Sequence, residues 1–367
     1  MDLIKLLKNF KRPELFTTPS HAGKGFGEFA KLLGQKIFKY DFSEIDNFDN
    51  IRNPQSVFKT SQEKAAKIYG SKASFYLYNG STSGILALML ATLDDNDKVL
   101  IPRNCHISVL NGLILSRAEG VFIEPEYDAE FGVAQAICPD SIKKHLDETP
   151  DIKATIITNP TYEGNVSDIA SIAQICRERG VILIMDESHG ALWNFSNKLP
   201  TPAIRLGADA SVQSLHKTAG ALTQSSILHL AKGSEIEPKQ IQKTLNLVNS
   251  TSPSYLLLAS IESAIEFLSA QKGQKELNKT LENIIKTRQK LGEIKGVKLL
   301  ESGDFSKIFL KVDGLSGEKL SEKLSEQNIE DELANEKGVL LLCGLGTSGK
   351  KLEKLYKAVK KIATTNK

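Results

Sequence analysis

From residue 61 onward the chain alternates short apolar runs with amphipathic stretches. Runs at 74–78, 98–102, 121–123, 154–158, 181–185, 210–213 and 226–230 have strand length, and the most apolar of them predict burial on both faces. Helical spacing appears at 63–69, 81–92, 106–117 and 168–180. Strands that alternate with helices predict an α/β fold with a mostly parallel sheet covered on both faces. After residue 250 the texture changes. Two long helices (254–270 and 274–291) precede a strand at 297–300, a strand at 308–312, a helix at 317–327, a strand at 338–342 and a helix at 350–362, which predicts a small α+β unit. The first 60 residues read as irregular, apart from a short amphipathic helix over 1–11, which lacks the apolar core of a signal peptide. The expected division is an arm and loop over 1–56, a large domain over 57–250, and a helical bridge with a small domain over 251–367.

Composition narrows the class. The formal charge is only +3, and basic residues sit beside acids, as in 317–323, so no nucleic-acid stripe is expected. No apolar run reaches the roughly 20 residues of a membrane span. Cys105, Cys138, Cys176 and Cys343 are far apart and form no C-x-x-C pair. A disulfide framework or a zinc site is not expected, and a reducing cytoplasm fits.

Ligands of parallel sheets bind beyond the carboxyl ends of the strands. Three such ends carry chemistry. Asn79-Gly80-Ser81-Thr82-Ser83-Gly84 leads straight into a helix, where free N–H groups and the helix dipole suit a phosphate; taken alone it reads better as a plain Ser/Thr cap. Asp186 ends an apolar strand and needs a cationic or N–H partner. Lys217 follows another, where desolvation would favour the nucleophilic amine, unless the side chain reaches out to water. A phosphate cradle, an aspartate and a lysine in that order suit pyridoxal 5'-phosphate (PLP), with Asp186 holding a proton on the pyridine nitrogen and Lys217 as the Schiff-base lysine.

The same segments resemble the Orn/Lys/Arg decarboxylase family of fold-type I (aspartate aminotransferase-like) PLP enzymes. The likeness runs through Asp41-Phe42-Ser43-Glu44, Asn79–Ile85, Pro102-Arg103-Asn104-Cys105-His106, Asn111-Gly112-Leu113, Pro160-Thr161-Tyr162-Glu163-Gly164, Asp186-Glu187-Ser188-His189-Gly190 and Gln213-Ser214-Leu215-His216-Lys217-Thr218 to Ser226. It implies a seven-stranded-type sheet and a small C-terminal domain. It assigns the phosphate to Ser81 and Thr82 with Ser214 and His216, the stacking ring to His106, the pocket wall to Ser188 and His189, and the region of Thr223 to a neighbouring subunit's site in a homodimer. Thr18-Pro19-Ser20-His21 resembles the family's T-P-G-H loop. The chain departs from the family at Ile107, where lysine is common, and at Ser20 and Ala22. No Tyr-Pro-Pro-Gly segment of the longer members occurs, so a short form is expected.

The implied reaction is decarboxylation of arginine, ornithine or lysine to a polyamine-type amine. One observation from the sequence favours it over transamination. The last arginine is Arg288, so the small domain's strands and final helix have no guanidinium to clamp a substrate carboxylate. Glu163, Glu187 and Glu332 are candidates, by residue type, for reading the substrate's distal cation. The alternatives are another PLP reaction (aminotransferase, racemase or lyase) and a non-catalytic PLP-binding protein; the presence of both Asp186 and Lys217 disfavours the last.

Overall fold

The computed structural model of the chain describes residues 2–11, 14, 16–44 and 48–365. Residues 1, 12, 13, 15 and 45–47 of the predicted arm, and 366–367 of the predicted small domain, lie outside the described residues. The chain opens with α1 (Asp2–Asn9), α2 (Gly27–Leu33), α3 (Lys36–Tyr40) and α4 (Val57–Tyr69). Then come β1 (Ala73–Leu77), α5 (Gly80–Thr92), β2 (Lys98–Pro102), α6 (Ile107–Ser116), β3 (Glu119–Ile123), the short strands β4 (Tyr127–Asp128) and β5 (Val133–Ala134), and α7 (Pro139–Glu148). They are followed by β6 (Ile152–Thr158), α8 (Ile169–Glu178), β7 (Ile182–Asp186), β8 (Ala210–Gln213), the single turn α9 (Leu215–Thr218), β9 (Ser226–Leu230) and α10 (Pro238–Val248). The remainder is α11 (Tyr255–Ser269), α12 (Gln271–Gly292), β10 (Val297–Leu299), β11 (Lys307–Val312), α13 (Gly317–Ser325), β12 (Leu333–Ala334), β13 (Val339–Leu342) and α14 (Gly349–Thr365).

A seven-stranded sheet runs in the order β1-β9-β8-β7-β6-β2-β3. Pairs from β8 to β3 are parallel, and β9 is antiparallel to both neighbours. The central strands read ILIMD and IKATIIT, and almost all of their side chains are buried, as expected of a sheet covered twice. One face packs against α5 and α10 through Leu88, Ile241 and Leu245. The other packs against α7 and α8 through Ile142, Leu146, Ile172 and Cys176. At Gly84, α5 lies so close to the sheet that a Cβ would come within 2.6 Å of Leu77. The small four-stranded sheet, β10-β11-β13-β12, is antiparallel.

Register decides where polar side chains emerge. Thr158 lies beside Asp186, and Asp186 beside Val212, so β6, β7 and β8 end together. Because β9 runs the other way, its entry, Ser226, pairs with Leu77 at the end of β1. The Gly80 N–H then donates to the Gln224 carbonyl at 2.9 Å, closing that edge.

The region read as irregular up to residue 60 holds α2, α3 and the start of α4, a correction to the sequence pattern. α7 and α10 were also not singled out. Both open with proline in the first turn and bury a residue pair four apart, a short signal among many polar positions.

Helix α1 docks by its start. The buried Glu262 carboxylate of α11 accepts the N–H groups of Asp2 (2.9 Å), Leu3 (3.0 Å) and Ile4 (3.0 Å) and the Ser61 hydroxyl (2.7 Å). These N–H groups have no partner within the helix, and a carboxylate there also favours the helix dipole. Replacing Glu262 by Ala should cost about 2–4 kcal/mol of stability in urea denaturation. It should also expose α1 to limited proteolysis before the rest of the chain.

Candidate active site

Beyond the carboxyl ends of β1, β2, β6, β7 and β8 lies a cavity of about 650 Å³. Each of the ten residues anticipated for the site, from Ser81 and Thr82 to Thr223, lines it. At one end is the start of α5. Asn79 gives this helix no side-chain cap, and with the Gly80 N–H taken by Gln224, the N–H groups that follow it in the first turn are left to meet an anion. The Ser81 hydroxyl meets that of Ser214 at 2.6 Å, joining this turn to the end of β8. His216, at the same end, bonds through Nδ1 to the Ser225 carbonyl at 3.1 Å, and burial lowers its pKa.

Asp186 is buried at the end of β7. Its Oδ1 accepts the Ser188 N–H at 3.2 Å and the Ser188 hydroxyl at 2.5 Å, which fixes the carboxylate's direction. His106 caps α6: its Nδ1 meets the Ser108 hydroxyl at 2.8 Å and accepts the Ser108 N–H at 3.2 Å. Nδ1 is thereby an acceptor, and the ring proton belongs on Nε2.

Lys217 enters from the one-turn helix α9. Its Nζ lies 2.8 Å from His189 Nε2 and 5.7 Å from the centre of the Tyr162 ring. Burial lowers the pKa of this amine; Lys307 adds to the effect, while Asp186 and Glu332 oppose it. The result is a lysine biased towards the neutral nucleophile. His189 is held well below its ordinary value, first by burial and then by Lys217 and Lys307, so its imidazole is neutral.

Thr223, which the resemblance assigned to a neighbouring subunit's site, is an exposed residue lining the cavity of its own chain. Ile107 also reaches the cavity, 58% exposed at the position where lysine is common. Tyr162 was quoted only as part of a motif, yet its ring packs edge-on against His189 with centroids 4.5 Å apart, and its hydroxyl donates to Glu332 at 2.6 Å. Asn104 and Thr158 were not singled out either. Among the described residues, Asn104 Oδ1, Thr158 Oγ1 and His189 Nδ1 are buried polar atoms of the cavity wall without a hydrogen-bond partner. Among the described residues the cavity lining includes no arginine, and Arg288 instead donates to the carbonyls of Lys307 and Leu300.

The three acids considered for the substrate's cation separate. Glu163 lines the cavity, and burial raises its pKa. Glu332 stands beside it through Tyr162. Glu187 faces away: its carboxylate is fully buried and accepts the Ala203 N–H (2.8 Å) and the Gln213 amide (2.7 Å). Burial pushes its pKa up to about 7 from an ordinary 4.5. Between those values the folded protein keeps a proton that the unfolded chain has released, so stability falls as pH rises through this window. The whole effect is on the order of 3 kcal/mol. Glu187→Gln should flatten this slope, which urea denaturation at about pH 5 and pH 8 would measure.

Comparisons with known proteins agree with this geometry. A family model described as "Orn/Lys/Arg decarboxylase, major domain" matches residues 6–311. The arginine decarboxylase of Bacillus subtilis strain 168 is 34% identical over 369 residues, covering 96% of this chain and 75% of its own. That of Bacillus cereus is 32% identical, covering 98% and 81%. The solved structure of the constitutive lysine decarboxylase of E. coli superposes with a TM-score of 0.86 at 19% identity, over 99% of this chain; the chain spans 60% of that one. The cofactor of such enzymes, PLP, fits the residues present: an uncapped helix start for a phosphate, an oriented carboxylate, a desolvated amine, and buried polar atoms that lack partners. With a family model spanning most of its length and relatives aligned along nearly all of it, the chain belongs to the Orn/Lys/Arg decarboxylase family of fold-type I PLP enzymes.

Proposed function

We propose that this chain decarboxylates a basic amino acid (arginine, ornithine or lysine), yielding the amine used in polyamine-type metabolism. The observation that carries the reading is the desolvated Lys217 amine, in one cavity with the Asp186 carboxylate and the open start of α5. Bound PLP supplies the electron sink for the charge left on the α-carbon when a bond there breaks. The protein's residues supply everything else.

In this reading Ser81, Thr82, Ser214 and His216 hold the phosphate. Asp186 keeps a proton on the pyridine nitrogen. The Lys217 amine carries the cofactor, and its contact with the neutral His189 imidazole fixes its direction. His106, held by its bonds to Ser108, covers the ring face and limits water. Ile107, Ala134 and Tyr162 give the cavity apolar surface, which disfavours a charged carboxylate and so promotes its loss as CO2. Among the described residues the lining has no arginine to clamp that carboxylate as transaminases commonly do, which favours decarboxylation over transamination. Glu163 and Glu332 are the acids placed to read a distal cation, and several relatives are named arginine or lysine decarboxylases.

The expected functional division is the arm over 1–56, the cofactor domain over 57–250, and the bridge and small domain over 251–367. A homodimer is the proposed active unit. Ile107, Ile114, Leu115 and Leu222 are exposed apolar side chains on α6 and on the 221–225 loop beside the cavity, and a second copy would cover them. Four free cysteines, and the absence of any helix among the described residues long and apolar enough to cross a membrane, support a cytoplasmic enzyme.

PLP-loaded protein incubated separately with arginine, ornithine and lysine should release an amine lighter by one CO2 from one of them, detected by mass spectrometry. If none forms while the cofactor band is present, decarboxylation of these substrates is wrong. Lys217→Ala should lose the absorbance band of the lysine-bound cofactor and all activity. An unchanged spectrum would overturn the role of Lys217.

A further inference from the structure

Beside the cavity lies a second charged cluster, deeper than the first. Lys307 and Asp304, at the start of β11, are each 1% exposed, with Nζ and Oδ2 2.6 Å apart. Asp304 also accepts the Trp193 indole N–H at 2.8 Å and the Ser306 N–H and hydroxyl at 3.0 and 2.6 Å. Burial alone would raise its pKa, but Lys307, Ser306 and Trp193 outweigh that and hold it below the ordinary value. Lys307 Nζ also donates to the His189 carbonyl at 2.6 Å. His189 and Trp193 belong to the segment that follows Asp186 at the end of β7 and carries Ser188, so one ion pair grips that segment at two points. The small-domain side also touches α9, where the Leu345 N–H donates to the Thr218 carbonyl at 2.8 Å.

A buried ion pair is a poor way to gain stability, because well-packed apolar side chains serve as well or better. Here the charges stand where they act on the site. We propose that Lys307, locked by Asp304, is a positioning residue that holds the His189 imidazole against the Lys217 amine. This rests on the assignment of Lys217 as the cofactor lysine. The groups facing Lys217 are Asp186 at the end of β7, His189 and Tyr162 from the adjoining loops, Glu332 before β12, and Lys307 on β11. The two acids favour a charged nitrogen at Lys217, and Lys307 opposes them. His189 faces Lys217, Lys307, His216 and His106, and all of them disfavour its cation. Lys307 therefore fixes the place of His189 and works against a positive charge on both His189 and Lys217.

The test compares the parent protein with Lys307→Met, Lys307→Arg and the double variant Asp304→Asn/Lys307→Met, whose neutral pair removes the risk of stranding one buried charge. In cofactor-free protein labelled with 15N-histidine, the parent His189 should remain neutral from about pH 5.5 to 8.5. Burial, the first cause of the low His189 pKa, persists in the Met-containing variants, but these lose the Lys307 Nζ bond to the His189 carbonyl, so their His189 imidazole resonances should shift from the parent's. In PLP-loaded protein, the pH midpoint of the lysine-bound cofactor band should rise by about one unit in Lys307→Met, because a like charge has been removed, and should move little in the double variant, where an opposite charge leaves with it. Lys307→Arg should leave the midpoint close to the parent. A parent His189 that titrates near its ordinary value overturns the proposal without any variant. So do folded Met-containing variants with unmoved His189 resonances, together with an unmoved midpoint in Lys307→Met. If the parent forms no lysine-bound band at all, the assignment of Lys217 fails, and the imidazole measurement alone decides the role of Lys307.

Discussion

Strands β6, β7 and β8 are sealed from water on both faces, and the composition of the site follows from that constraint. Polar side chains are costly along such strands, so they gather at the ends. The parallel register aligns three of those ends, bringing Thr158, Asp186 and Val212 abreast and delivering the Ser214–Lys217 turn just beyond. The antiparallel β9 completes the edge, returning residues 223–225 to the same side as the start of α5.

The electrostatics of the cavity form a graded set. Asp186 is fixed by Ser188, and the amine and imidazole opposite it are pushed towards neutrality by burial and by Lys307. Glu163 and Glu332 lie towards the small-domain side, with Tyr162 between Glu332 and His189. A positively charged substrate end would meet acid there, while its reacting end would meet the neutral His189 imidazole and a Lys217 amine whose pKa burial lowers. Among the described residues no cluster of three or more His, Cys, Asp or Glu suited to a metal ion occurs.

Much of this was legible in the sequence because it depends on local rules. The runs at 98–102, 210–213 and 226–230 are strands with those bounds, and the rule that ligands bind beyond strand ends picked out Lys217 and Asp186. The direction of Glu187 was legible in principle, since neighbours along an extended chain point to opposite sides, so Asp186 and Glu187 should not share a cavity. Lys307 was not legible. Its partners are Asp304 and the carbonyl of a residue 118 positions away, and nothing local marks a lysine on a small-domain strand as buried. The polar helices α7 and α10 escaped because only two turns of each carry the apolar stripe.

His106 belongs to two structures at once. Its imidazole nitrogen stands in for the cap that starts α6, and its other edge belongs to the cavity wall. An aromatic ring without that nitrogen would preserve the surface offered to a ligand but release the first turn of the helix, whereas Asn or Asp would preserve the cap and lose the surface. Exchange at this position is therefore confined to a side chain that is both planar and a hydrogen-bond acceptor at short reach, and histidine alone among the common residues combines the two.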